Sequence, residues 1–147
     1  MVNQKKLDIA YMNCAYAIAA LSNAVRKQVG AVLVSPKWGI IAEGVNGTPS
    51  GFDNCCENKV CMIDGPPSNV LVTKPEVLHA ESNAIAKVAR STSSSDGCTM
   101  YTTYSPCFEC AKLMIQAGIV RVVYDEEYRL TDGIDLLRKA KIQVDKL

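Results

Sequence analysis

At 147 residues, with 48% hydrophobic and 21% charged side chains, the chain is long enough to bury one continuous core and too apolar for a disordered chain. A net charge of +1 lacks the basic excess of a protein held on nucleic acid by phosphates, and no run approaches the roughly 18 apolar residues of a membrane span. Lys5, Lys6, Asp8 and Asn13 interrupt the opening segment where a signal peptide would be apolar, so a cytoplasmic protein is expected.

Taken in chain order, Leu7 to Val25 repeats apolar residues at helical spacing, with Leu7, Tyr11, Cys14, Ile18 and Leu21 on one stripe and Cys14 read as a small core residue. Val29 to Val34 and Ile40 to Val45 read as a hairpin of two buried strands around a turn at Ser35 to Gly39. Asn46 to Lys74 is rich in Gly, Pro and Cys, shows little periodicity and reads as a long functional loop. A helix is expected over Leu78 to Ala89, a strand over Thr99 to Thr103, a helix over Cys107 to Ala117 capped by Gly118, and a strand over Ile119 to Tyr124. Asp132 to Ala140 reads as the last helix and Ile142 to Val144 as the last strand. A helix between the last two strands lets them run parallel. The expectation is one domain over residues 1–147, a three-layer α/β/α sandwich on a mixed five-stranded sheet.

Seven cysteines in a reducing compartment point to metal binding rather than disulfides. Cys107 and Cys110 stand at i and i+3 at the start of a predicted helix, on one face and at the positive end of the helix dipole, which favours thiolates. Pro106 suits that helix entrance. Alone, a C-x-x-C pair is equally a redox pair or half of a structural zinc site. His79, the single histidine, opens another predicted helix with Glu81 two residues on. His79-Ala80-Glu81 with Pro106-Cys107-x-x-Cys110 matches the zinc deaminase signature H-x-E…P-C-x-x-C, whose glutamate moves protons and is not a ligand. One histidine and two thiolates leave a fourth tetrahedral position open, as catalytic zinc requires and a closed structural site does not. Residues two apart share no helix face, so the motif needs His79 and Glu81 in an irregular first turn.

Over nearly the whole chain the sequence resembles the deoxycytidylate (dCMP) deaminase family, and in particular its short phage-type members, which have the cytidine-deaminase-like fold. The resemblance is carried by Arg26-Lys27-Gln28-Val29-Gly30-Ala31-Val32, Gly44-Val45-Asn46-Gly47-Thr48-Pro49-Ser50-Gly51, Leu78-His79-Ala80-Glu81-Ser82-Asn83-Ala84-Ile85 and Tyr101 to Lys112. It implies hydrolysis of dCMP to dUMP and ammonia, supplying dUMP for thymidylate synthesis. It also implies activation by dCTP and inhibition by dTTP with magnesium, assembly as a hexamer, and a place in the host cytoplasm if phage-encoded. No nucleic-acid or membrane partner is implied. Carried over by residue, Arg26, Asn46, Ala80, Tyr104 and Ser105 are the expected substrate contacts, and Gly44, Asn46, Gly47 and Gly51 the expected allosteric loop. Cys55, Cys56 and Cys61 are spaced to share a second, structural zinc, with free thiols as the alternative. Related deaminases remain open, among them one for 5-methyl- or 5-hydroxymethyl-dCMP, as does a non-catalytic zinc module.

Overall fold

The computed structural model describes residues 2–61 and 69–147, and of residues 59, 60, 61 and 69 the backbone alone. The elements are α1 (Gln4–Ala19), β1 (Gly30–Ser35), β2 (Gly39–Val45), β3 (Glu57–Cys61), β4 (Asn69–Thr73), α2 (Ala80–Ala89), β5 (Thr99–Tyr104), α3 (Phe108–Gln116), β6 (Arg121–Glu126), α4 (Asp132–Lys139) and β7 (Gln143–Lys146). The main sheet runs β2-β1-β5-β6-β7. Its β2-β1-β5 part is antiparallel, while β5-β6 and β6-β7, each joined through a helix, are parallel.

The period-2 alternation of the central strands divides the core between two faces. Ala31, Leu33, Met100 and Val122 meet Ala80, Ala84, Ala111, Met114 and Leu137 of α2, α3 and α4 on one face. Val32, Val34, Tyr101 and Val123 meet Met12 and Ala15 of α1 on the other. The result is the mixed five-stranded α/β sandwich that the sequence led us to expect. Among the described residues no helix is long and apolar enough to cross a membrane.

Two glycines set how closely helices approach the sheet. A Cβ at Gly30 would run into the Ala15 carbonyl of α1, and one at Gly44 into the Ala80 carbonyl of α2. Gly44, expected in an allosteric loop, thus lies at the end of β2 directly beneath the turn that carries His79 and Glu81.

The structure corrects four local expectations. α1 ends at Ala19 rather than Val25, and its buried face is Asp8, Met12, Ala15 and Ala19, one position on from the apolar stripe. Close approach at Gly30 favours alanines there, and Arg121 draws Asp8 inward through paired contacts at 2.8 and 2.9 Å. Leu21 is left exposed and Cys14 half-buried. β2 is an edge strand with Ala42 and Gly44 as its buried positions, because β1 is its sole partner in the sheet. Finally, the long loop contains a separate antiparallel hairpin, β3 paired with β4.

Candidate active site

Both signature segments sit at helix entrances. His79 is the N-cap of α2 with extended backbone (φ −76°, ψ 154°), and Cys107 is the N-cap of α3 (φ −72°, ψ 169°). An extended cap rotates His79 out of the helical repeat, so its ring and the Glu81 carboxylate converge even though they are two residues apart. Gly133 of α4 secures the other side, since a Cβ there would meet the Pro106 and Cys107 carbonyls.

His79 Nδ1 lies 3.3 Å from Cys107 Sγ and 3.4 Å from Cys110 Sγ. All three donor atoms fall within 4.8 Å of one another, the one such group of His, Cys, Asp and Glu among the described residues. Zinc bonds of about 2.0 Å to nitrogen and about 2.3 Å to sulfur give a tetrahedral edge of about 3.5 Å, so the triad fits that ion. The charge state fits as well. The Cys107 thiol is lowered to about 4, first by its hydrogen bond from Cys110 and then by the His79 ring. The bond to Cys107, burial and the nearby Glu81 push Cys110 up. Cys107, through its hydrogen bond, raises the His79 ring. Thiolates are the forms that bind a divalent cation, whose binding displaces the thiol protons.

Glu81 is 4% exposed, and burial pushes its carboxyl above the usual range. Its Oε1 lies 3.4 Å from Thr102 Oγ1, and its Oε2 lies 3.7 Å from Cys110 Sγ. It therefore stands beside the three donors without being one of them.

From these residues a cavity of about 280 Å³ runs outward. Within its lining Ala80, Glu81 and Ser105 are buried, whereas Arg26 and Thr73 are exposed and, with the adjoining Lys27 and Glu57, form its mouth; His79, Cys107, Tyr104 and Tyr128 also line it. All of the expected substrate contacts, Arg26, Asn46, Ala80, Tyr104 and Ser105, border it. Asn46 is also a structural clamp, accepting from Val29 N and donating to Lys27 O, each at 2.8 Å, which leaves its amide one further donor and acceptor site. Ser105 Oγ accepts from Tyr128 N at 2.6 Å. Lys27 Nζ lies 3.7 Å above the Tyr104 ring and 5.0 Å from that of Tyr128.

Lys27, Glu57, Thr73 and Tyr128 were missed from sequence. Lys27 adjoins Arg26 in a quoted stretch, and that adjacency was the available signal; the other three lay in segments without a pattern.

Gly47 pairs with Leu78 through hydrogen bonds of 2.8 and 3.1 Å, tying the 46–51 loop to the residue before His79. Gly51 takes φ +92°, a backbone that suits glycine. Asn46 and Gly47 also border a second cavity of about 180 Å³ with Ser22, Thr48, Cys56 and Asn83. Cys55 Sγ faces Glu57 O at 3.3 Å and Cys56 Sγ faces Asn54 O at 3.8 Å, while the Cys61 side chain lies outside the described residues.

Residues 5–126 match the family model of the cytidine and deoxycytidylate deaminase zinc-binding region. The chain belongs to this deaminase family. It is 34% identical to the deoxycytidylate deaminase of Enterobacteria phage T4, over 90% of this chain and 86% of that one. It is 39% identical to the human deoxycytidylate deaminase, over 83% of this chain and 66% of that one. The solved dCMP deaminase of cyanophage S-TIM5, in complex with dCMP and dUMP, shares 45% identity and a TM-score of 0.84 across 97% of both chains. For this deaminase, the matched region contains the metal triad, Glu81 and most of the cavity lining.

Proposed function

We propose that the chain is a dCMP deaminase, hydrolysing dCMP to dUMP and ammonia. One observation carries the reading. His79, Cys107 and Cys110 converge beside the buried Glu81, in a cavity that Arg26 and Lys27 also line. Relatives at 34–45% identity bear the same activity in their names.

His79, Cys107 and Cys110 are the residues that would hold the zinc, one ion per chain. When bound, zinc supplies Lewis acidity that lowers the pKa of water from about 16 to about 7. Glu81 takes one proton of the attacking water and delivers it to the ring nitrogen next to the reacting carbon, then takes the second from the hydroxyl that the water leaves on that carbon and passes it to the amine, which departs as ammonia. Burial suits this work, because a carboxyl raised above its usual range gives up a proton less readily than an exposed one and can carry it between two sites. Ala80, wholly buried, offers backbone to the pyrimidine edge; Tyr104 and Ser105 wall the ring, Asn46 faces the sugar, and Arg26 meets the 5′-phosphate.

The second cavity supports regulation by dCTP as activator and dTTP as inhibitor, with magnesium, through the loop of Asn46, Gly47 and Gly51. Exposed Leu21, Val25 and Phe52 near that loop suit a homo-oligomeric assembly, hexameric by resemblance. The two cores share one sheet, as a single domain over residues 1–147 does.

The test is ammonia release from dCMP, 5-methyl-dCMP, 5-hydroxymethyl-dCMP, deoxycytidine, CMP and dCTP. We expect dCMP to exceed deoxycytidine by at least about 100-fold in kcat/KM, since a site built for a charged group leaves its donors unpaired without it. Equal efficiency on both removes the nucleotide assignment. Faster release from either modified nucleotide moves the chain to that substrate, and dCMP saturation curves that ignore both triphosphates remove the regulation.

A further inference from the structure

We propose that Glu57, on the hairpin that the sequence concealed, is a positioning residue that sets how strongly the pocket prefers a nucleotide over the corresponding nucleoside. The proposal rests on the dCMP reading above and adds a residue that never needs to touch the phosphate.

Residues 25–29 lie outside every helix and strand, between α1 and β1, so no regular ladder holds their backbone. Two side chains do so instead. Glu57 Oε1 accepts from Val25 N at 2.9 Å and from Arg26 N at 3.2 Å. Asn46 holds the next stretch at Lys27 O and Val29 N. Across the hairpin Glu57 pairs in register with Thr73, whose Oγ1 accepts from Arg26 Nη1 at 3.2 Å. A single rung of the β3-β4 hairpin therefore grips Arg26 twice, through its main chain from Glu57 and through its guanidinium from Thr73.

The consequence falls on the mouth of the cavity. Arg26, Lys27, Glu57 and Thr73 line the same cavity as His79 and Glu81. With the 25–26 amides pinned, Arg26 stays turned toward Thr73 and Lys27 stays over the Tyr104 and Tyr128 rings, so both cations are already in place when an anion arrives. A carboxylate that accepts two backbone N–H groups is the strong, charge-assisted form of such a clamp. Loosening it should cost binding of the phosphate and leave the reacting end of the pocket intact.

Full-length, zinc-loaded E57A and E57Q, compared with wild type on dCMP and on deoxycytidine, test this. We expect E57A to raise the KM for dCMP about tenfold or more, with kcat and the efficiency on deoxycytidine each within about threefold of wild type. E57Q keeps the accepting oxygen and should recover most of the dCMP affinity. Hydrogen exchange provides a second readout. The Val25 and Arg26 amides should exchange at least about tenfold faster in E57A than in wild type, with E57Q between them. A wild type equally efficient on both substrates overturns the nucleotide reading and this proposal with it. A wild-type preference for dCMP that E57A leaves intact, an equal loss on both substrates, a dCMP KM in E57Q below that of wild type, or unaltered exchange at both amides overturns this proposal alone.

Discussion

Two carboxylates are buried on opposite faces of the same sheet, Asp8 under α1 and Glu81 at the head of α2, and they are shifted in opposite directions. Arg121 accounts for most of the Asp8 shift, bringing its carboxyl down to about 2 from 3.8, with further hydrogen bonds from Tyr101 and Gln4. Burial pushes Glu81 up, and among the described residues its side-chain neighbours are Thr102, Cys110 and the His79 ring. Burial alone therefore does not mark a functional acid. What distinguishes Glu81 is its place beside the His79, Cys107 and Cys110 donors, where Asp8 has Arg121. Asp8 belongs to a closed network with Arg121, Tyr101 and Asp145 that fastens α1 to β5, β6 and β7. Its work is structural.

The largest expected effect separates the two residues by chemistry. Glu81→Gln should keep its zinc and its melting temperature while turnover of dCMP falls by about 100 to 10,000-fold, the range general acid-base catalysis supplies. Retention of more than about a tenth of the activity would make Glu81 no different in kind from Asp8.

The triad can be tested by composition. Cys107→Ala and Cys110→Ala should each drop bound zinc from one per chain to near zero on metal analysis, since two remaining donors hold the ion poorly. Full zinc in either variant would take that thiol out of the site, and close to two zincs in the wild type would restore the loop cysteines as ligands.

Asp8→Asn should do the converse of Glu81→Gln. Leaving the Arg121 guanidinium without its buried carboxylate should lower stability by about 3 kcal/mol in denaturant titration, with dCMP turnover retained. A catalytic defect at unchanged stability would reverse the two roles.

The smallest effect is a dependence on pH. The folded-state pKa of Asp8 lies below its unfolded value, so its contribution is present above about pH 4 and is lost as pH falls toward about 2. A shift from 3.8 to about 2 corresponds to roughly 2 kcal/mol. The stability gap between wild type and Asp8→Asn should shrink by about that amount over this window. A constant gap would mean that the network stabilises through packing rather than charge.

What the sequence by itself determined was the reacting end of the pocket and the order of the five main strands. Cap positions, the i and i+3 spacing of Cys107 and Cys110, and the entrance of α2 are local properties, written within a few residues of one another. Apolar runs of strand length, broken by turn residues, did the same for the sheet. At the mouth the resemblance supplied Arg26, and tertiary structure decided the rest. Glu57 and Thr73 lie far from Arg26 in the chain and meet it through a few polar contacts that leave no period behind, and β3 and β4 exchange their hydrogen bonds outside the main sheet. The buried face of α1 went the same way. Its stripe of larger apolar residues competed with one of Asp8, Met12, Ala15 and Ala19, and the second won because the α1 backbone approaches Gly30 closely, which favours small side chains there, and because Arg121, over a hundred residues later, supplies the countercharge that lets an aspartate be buried.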